Sequence, residues 1–471
     1  MTPIPSNLFE VHALSLPRGL GFGDDPPVNA WESSDRITLC ALTRNCYSGK
    51  HGILIMRRRE DDVWTVLRSE KNSFSEENAL AIIGEACNEF AGRVPLPPGS
   101  RRRTPLWDTK CAQPSGIFKM LGHPSRAPGA WMLNQLYLAM PNPDSHWARE
   151  CRGDSFHTRI WEAMLLASFR EQGMLVTQDH DSPDFYVANR AGEDVWVEAV
   201  TVNPPERYDH ATAGRDKVPA DLKERVSGIA AERYARTLRN KLRKNYTSLK
   251  HVQGKPFAIA IADFHAPGSM MWSREALMTY LYGFYGREKE KDGKIVAVPE
   301  IIEFLSSDPN IRAGLFLSRE NLELSAVIFS NAATLSKLSR VPVSSGVLID
   351  GYRYVRIGKF ADDSPGAVRA IPFIMDVTSN EYRSLWKPYN HEPWTAEIEI
   401  FHNPNAKHPL SSALFPEATH WIPENGEIVC KRYYKHSILS SQTQIQLSHM
   451  PLPSLESLLA HDINDADDKM N

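Results

Sequence analysis

Between residues 155 and 263 the spacing of apolar positions changes several times, and each change predicts an element. From Ser155 to Gln172 the residues Phe156, Ile160, Trp161, Met164, Leu165 and Phe169 recur at helical spacing, with Glu162 flanking the apolar stripe. Three runs rich in β-branched and aromatic residues follow, at Leu175 to Thr177, Asp184 to Ala188 and Val195 to Val202. The last two are joined by Asn189-Arg190-Ala191-Gly192, which reads as a hairpin turn. If the loop is Arg190 to Gly192, Asp184 lies directly opposite Glu198. Period two then puts Trp196, Glu198, Val200 and Val202 on one face, so Glu198 interrupts an otherwise apolar surface. A helical segment from Asp221 to about Leu249 and the apolar run Phe257 to Ala262, a buried strand ending at Asp263, complete the series. The order helix, three strands, helix, strand predicts an α/β sandwich around a mixed central sheet flanked by helices.

The flanks read differently. Residues 1–35 are rich in Pro and Gly; Gly19-Leu20-Gly21-Phe22-Gly23 is expected to be a plain loop, because no strand precedes it and Asp24-Asp25 would repel a phosphate. Strands at Arg36 to Thr43, Gly52 to Arg57 and Val63 to Arg68, then a helix opened by Ser73 with Glu76 as a capping box, predict a small α+β N-terminal domain over 1–95. Residues 96–150, with many prolines and the run Arg101-Arg102-Arg103, read as a connector. The core is assigned to 151–340, with further strand signals at Gly314 to Leu317 and Leu324 to Phe329 and a helix near Ala333 to Arg340. A β-rich C-terminal region, 341–455, and an acidic tail, 456–471, predicted to be disordered, follow.

Composition narrows the function. A chain of 471 residues is too long for one compact core, and two or three domains are expected. The formal net charge of -3 gives no global signature of a nucleic-acid binder, so such binding has to come from a local patch. One exists: between Ala231 and Lys250 stand Arg233, Arg236, Arg239, Lys241, Arg243, Lys244 and Lys250 against Glu232 alone. The six cysteines are scattered without a CxxC pair, which supports neither a zinc ribbon nor a disulfide framework. No basic, then apolar, leader and no run of ~18 apolar residues is present, so the expectation is a cytoplasmic protein without membrane contact.

Two carboxylates facing each other across a hairpin repel, and leaving one charged and unpaired in a low-dielectric site costs several kcal/mol, so a divalent cation between Asp184 and Glu198 is the economical resolution. The ordinary alternative is a hairpin whose Asp caps a turn and whose Glu pairs with an Arg. Lys241 shares a helical face with Leu238, Leu242 and Asn245, the side turned to the sheet, from which it reaches the carboxylates. Elsewhere, His180 reads as part of an exposed turn, Asp263 and His265 as a satisfied surface pair, Phe401-His402-Asn403-Pro404 as a turn, and Phe329-Ser330-Asn331 as a helix cap.

An acidic residue on a first helix, a Pro-Asp opening a hairpin and a Glu on its second strand resemble the PD-(D/E)xK, restriction-endonuclease-like nucleases. Glu162, Pro183-Asp184 and Glu198-Ala199-Val200 carry the resemblance, over roughly residues 155–262. It departs at Val200, which stands where the family's catalytic lysine falls; in members whose lysine has migrated to the next helix the corresponding residue here is Lys241, with Lys244 as the fallback. The resemblance implies a restriction-endonuclease-like core and a Mg²⁺- or Mn²⁺-dependent endonuclease acting on DNA or RNA. Asp184, Glu198 and the Ala199 carbonyl would hold the metal, Lys241 would position water, and Glu162 would bind a second metal or orient the lysine. Arg233, Arg236, Arg239, Arg243 and Lys244 would grip the substrate backbone. A second implied reading is a catalytically inactive nuclease-like module that binds nucleic acid within a homo-oligomer or a larger assembly.

Overall fold

The computed structural model describes residues 1–14, 16, 22–90, 92–98, 103–111, 113–204, 218–291, 294–347, 349–362 and 370–454. Residues 19–21 of the Gly-rich run, Arg101 and Arg102 of the basic run and the acidic tail lie outside them.

The N-terminal unit comprises β1 (Thr2–Ile4), α1 (Ser6–Leu14), β2 (Pro27–Glu32), β3 (Thr38–Arg44), β4 (His51–Arg58), β5 (Trp64–Phe74) and α2 (Glu76–Phe90). The five strands pair antiparallel in sequence order. Strands β3 and β4 are apolar on both faces because both are covered. Leu39, Ala41, Leu54 and Met56 meet Phe9 and Ala13 of α1, whereas Cys40, Leu42, Ile53 and Ile55 meet Ala79, Ile83 and Cys87 of α2. The sequence assigned no element before residue 36; β1, α1 and β2 are short, and packing against the sheet supplies the order that their own sequence signal does not. The cap of α2 is Ser75, whose Oγ accepts from the Asn78 N–H at 3.3 Å, while Ser73 lies within β5.

The presumed connector is helical. It contains α3 (Gly116–Leu121), α4 (Ala127–Ala139) and α5 (Trp147–Arg152), followed by α6 (Phe156–Glu171). Proline opens α4, at Pro128, rather than interrupting it, and Met132, Leu133, Leu136 and Trp147 share one core with Ile160, Trp161 and Met164.

Next come β6 (Leu175–Thr177), β7 (Phe185–Ala188), β8 (Asp194–Val202), α7 (Leu222–Ser227), α8 (Ile229–Leu242), β9 (Phe257–Asp263) and α9 (Arg274–Tyr282). A two-stranded ribbon, β10 (Phe284–Lys291) and β11 (Lys294–Ile301), precedes β12 (Ala326–Phe329) and α10 (Leu335–Ser345). The chain ends with β13 (Tyr352–Ala361), β14 (Ala370–Asp376), α11 (Asn380–Ser384), β15 (Glu399–His402), β16 (Thr419–Glu424), β17 (Glu427–Lys431) and β18 (Ile438–Leu447).

The eight-stranded central sheet has the order β17-β16-β15-β12-β9-β8-β7-β6. Its middle, β12-β9-β8, is parallel, and β7 and β6 add antiparallel at one side, so the sheet is mixed, as the periodicity predicts. Along β9, Ala258, Ala260 and Ala262 face α6, and their small size lets the Trp161 indole donate to the Ala260 carbonyl at 3.1 Å. Ile259 and Ile261 face the other way, toward Tyr234 and Leu238 of α8 and Tyr280 of α9.

Three expectations are corrected. The helix foreseen over 221–249 is two helices, broken at Gly228, where a Cβ would come within 2.0 Å of the Glu224 carboxylate. Gly314 to Leu317 is not a strand; Leu315–Leu317 is a single 3₁₀ turn entered through Gly314 at φ +81°. The 341–455 region is not a separate unit, since β15, β16 and β17 complete the central sheet, and only β14-β13-β18 form a sheet of their own. That smaller sheet is tied to α10 through a buried ionic cluster: Glu392, 0% exposed, accepts two bonds from Arg340 at 2.9 Å each and lies 3.1 Å from Lys337 and 3.5 Å from Arg356. No helix among the described residues is long and apolar enough to cross a membrane.

Candidate active site

The β7–β8 hairpin fixes the first two residues of the site. Its register pairs Phe185 with Val197 and Ala188 with Asp194, and Asn189 and Glu193 close the loop Arg190 to Gly192, with Gly192 at φ +88°. One step beyond the Phe185–Val197 pair, Asp184 stands opposite Glu198, as the spacing predicts. Tyr186 and Trp196, two residues from each on the same face, have ring centroids 4.9 Å apart. Asp184 Oδ2 accepts from the Ala199 N–H at 2.7 Å, which pins the carboxylate to the neighbouring strand. The segment before it is held as well: His251 Nε2 lies 3.0 Å from the Ser182 carbonyl, and its ring stacks on His180 at 3.8 Å.

Helix α8 then delivers the cation. Leu238 packs against the sheet, one turn before Lys241, and Lys241 Nζ reaches Glu198 Oε1 at 2.6 Å. After the helix, Asn245 adopts the left-handed conformation (φ 51°, ψ 50°), which asparagine tolerates better than most residues. The chain turns back there, and the Tyr246 hydroxyl donates to the same Glu198 oxygen at 2.6 Å. Sequence reasoning missed Tyr246; its only signal is an apolar aromatic just past a helix-ending Asn.

Glu162, on α6, enters from the other layer. It is 5% exposed and accepts from Trp147 Nε1 at 2.7 Å and from Arg159 at 2.9 Å to each oxygen. Arg159 also pairs with Asp144 at 2.8 Å and with Glu150 at 2.5 Å. Its position one helical turn before Glu162 makes that pairing readable from sequence, and it was overlooked.

The three carboxylates and Lys241 sense one another. Burial, then the Glu198 charge, then the Glu162 charge push the Asp184 carboxyl up to about 8, against the opposing pull of the Ala199 N–H and Lys241. Burial, followed by the bond to Glu198 and the Glu198 and Asp184 charges, pushes the Tyr246 hydroxyl far above its ordinary range, so it stays protonated as a donor. Within this cluster Glu198 is matched by Lys241 and Glu162 by Arg159, while Asp184 has no cation of its own. Among the described residues no three His, Cys, Asp or Glu side chains gather into a set able to ligate one ion. The oxygens that could hold a cation here are two carboxylates and the Ala199 carbonyl, a sparse set with which Mg²⁺ would retain several waters.

The basic helix is less free than its composition suggests. Arg236 pairs with Glu232 at 2.7 Å and Asp308 at 3.1 Å, and Arg239 donates to the Tyr280 hydroxyl at 3.2 Å and the Arg312 carbonyl at 3.4 Å. Arg243 and Lys244, at the exposed end of α8, have no acidic partner among the described residues, nor does the half-buried Arg233.

The weaker sequence candidates are structural. Asp263 and His265 form a satisfied pair at 2.8 Å, but buried rather than at the surface, at 1% and 6% exposure. Phe401-His402-Asn403-Pro404 is a turn only in its second half: Phe401 and His402 are buried at the end of β15, and Asn403, just past it, donates to the Asn321 and Leu324 carbonyls. The cap of α10 is Thr334 instead of the Phe329-Ser330-Asn331 segment, where Ser330 closes a local turn onto the Ala332 N–H.

Compared with family models, curated proteins and solved structures, the chain matches none.

Proposed function

We propose that the chain is a metal-dependent nuclease with a restriction-endonuclease-like core, in which the lysine absent from Val200 is supplied by Lys241. The observation that carries this reading is the 2.6 Å contact between Lys241 and Glu198, beside an Asp184 that has no cation of its own among the described residues. Asp184 and Glu198 are hard oxygen donors, and with the Ala199 carbonyl they are the residues that would hold Mg²⁺ or Mn²⁺. Such an ion, when bound, neutralises charge at a scissile phosphate and lowers the pKa of the attacking water.

The remaining steps belong to the chain. Lys241 orients the water and meets the negative charge that builds up on the phosphoryl oxygens. Tyr246 holds the Glu198 carboxylate in one rotamer, so that Lys241 is shared between carboxylate and substrate rather than captured by either. Glu162, fixed by Arg159 and Trp147, maintains the negative field that draws a cation to Asp184. Arg243 and Lys244 hold the phosphate backbone of DNA or RNA without reading bases.

The alternative of an inactive binding module is favoured by one feature: Glu198 and Glu162 already have partners inside the protein. Incubation with single- and double-stranded DNA and RNA in Mg²⁺, Mn²⁺ or chelator separates the two. Divalent-dependent cleavage supports the nuclease. Binding without cleavage in every condition supports the module.

A further inference from the structure

A cavity of about 580 Å³ opens where the parallel strands β9 and β12 end, lined there by Phe264 and Asn331. The carboxyl end of parallel strands is where open α/β sheets hold ligands, and the volume falls within the roughly 300–1,000 Å³ of small-molecule pockets. Its walls come from several otherwise separate elements, including α10, the segment before α4, and β18.

The chemistry of the lining is specific. Arg126, half-buried, has no acidic partner among the described residues, although its guanidinium borders the cavity. Burial lowers its pKa, opposed only by Tyr354. The other cavity arginines are engaged: Arg274 grips Glu399 at 2.5 Å through two nitrogens and lies over the Trp421 ring at 4.8 Å, Arg340 is bound to Glu392, and Arg432 donates to the Ser437 hydroxyl at 3.2 Å. A half-buried guanidinium without an acidic partner, at the wall of a cavity, favours an anion. The eleven-residue helix α10 opens on the same cavity with Thr334, Leu335 and Ser336, adding main-chain N–H groups and the positive end of a dipole. Phe264, Trp386 and Trp421 make part of the lining aromatic, and the Trp386 indole Nε1 and Asn331 Oδ1 are buried polar atoms without hydrogen-bond partners.

We infer that this cavity is a binding site for a free mononucleotide, its phosphate held by Arg126 and the first turn of α10 and its base against the aromatic wall. One charge-bearing end, one aromatic wall and room for a single ring and sugar fit that ligand better than an inorganic anion or an apolar molecule. The site is separate from the carboxylate cluster. The two share only α6, whose His157 lines the cavity five residues before Glu162.

The inference stands apart from the nuclease reading, and its test is run in chelator so that divalent-dependent binding at Asp184 does not contribute. The full chain is titrated with the four ribonucleoside 5′-monophosphates, with adenosine and with inorganic phosphate, following heat release and tryptophan fluorescence. Saturable one-to-one binding of at least one monophosphate is expected, at least tenfold tighter than adenosine or phosphate alone. Arg126→Ala should weaken it at least tenfold, while Asp184→Asn leaves it unchanged. Ser440→Trp, which fills the cavity from β18, should abolish it in a protein whose circular dichroism matches the parent, guarding against misfolding of the first variant. No saturable binding by any monophosphate, or unchanged binding in folded Arg126→Ala and Ser440→Trp proteins, overturns the inference.

Discussion

Asp184 is the residue on which the account turns, because its charge is the one its neighbours leave uncompensated. Its carboxyl is raised to about 8 in the folded chain, against about 3.9 when unfolded, so without metal the folded state binds the extra proton between those values. Stability from this group is fully present below pH ~4 and is lost as pH rises through 8. Thermal melts in chelator should therefore fall across that window, and Asp184→Asn should flatten the decline and stabilise the protein at pH 8 by on the order of 1 kcal/mol. Since that proton must leave before a cation binds, Mn²⁺ affinity should rise about tenfold per pH unit from pH 6 to 8, measurable by calorimetry. A pH-independent affinity would remove Asp184 from the ligand set. At Lys241 the expectation is a kinetic effect: Lys241→Ala should lower cleavage at least ~100-fold while nucleic-acid affinity stays nearly constant. Equal losses of both would make Lys241 a binding residue. The carboxylates and Lys241 were legible in the sequence because period two and helical phase alone set their faces. Tyr246 was not, since its contact depends on a left-handed Asn245 that no periodicity reveals.

At the scale of elements, the two ends of α8 decide where its chemistry points. Gly228 breaks the helix from α7, and Asn245 ends the turn that brings Tyr246 back to Glu198. Replacing Asn245 with Ala should cost roughly 1 kcal/mol in denaturant unfolding, with Asn245→Gly near neutral, because only the alanine carries a strained left-handed backbone. The basic run reads from sequence as one phosphate-facing surface, but Arg236 and Arg239 are committed to Asp308, Tyr280 and Arg312, partners 41 to 73 positions away that local pattern does not disclose. Neutralising Arg243 and Lys244 should thus flatten the salt dependence of nucleic-acid binding more than neutralising Arg236 and Arg239. The reverse order would place the substrate along the other side of the helix.

For the whole molecule, the strands of the central sheet come from distant parts of the chain, and that is where sequence reading failed most. The helix, hairpin and β9 were readable because they are consecutive. The joining of β15, β16 and β17 to β12 was not, because non-consecutive pairing leaves no trace in local periodicity. The buried cluster around Glu392 locks this arrangement. Burial works to raise the Glu392 carboxyl, but Arg340, Lys337 and Arg356 outweigh it and hold it well below the usual carboxylate range. A depressed carboxylate contributes stability above its unfolded pKa of about 4.3 that is lost only as pH falls through the folded value. Glu392→Gln should accordingly cost about 3–5 kcal/mol at neutral pH, with the loss shrinking in acid, as read from urea unfolding. The most direct measurement of the central claim is Mg²⁺-dependent cleavage by the parent protein and by Asp184→Asn, side by side on the same nucleic-acid substrate. The parent should cleave in a way that chelator abolishes, and a folded Asp184→Asn protein should have lost that cleavage. Cleavage that persists in chelator, or undiminished in Asp184→Asn, would contradict the claim.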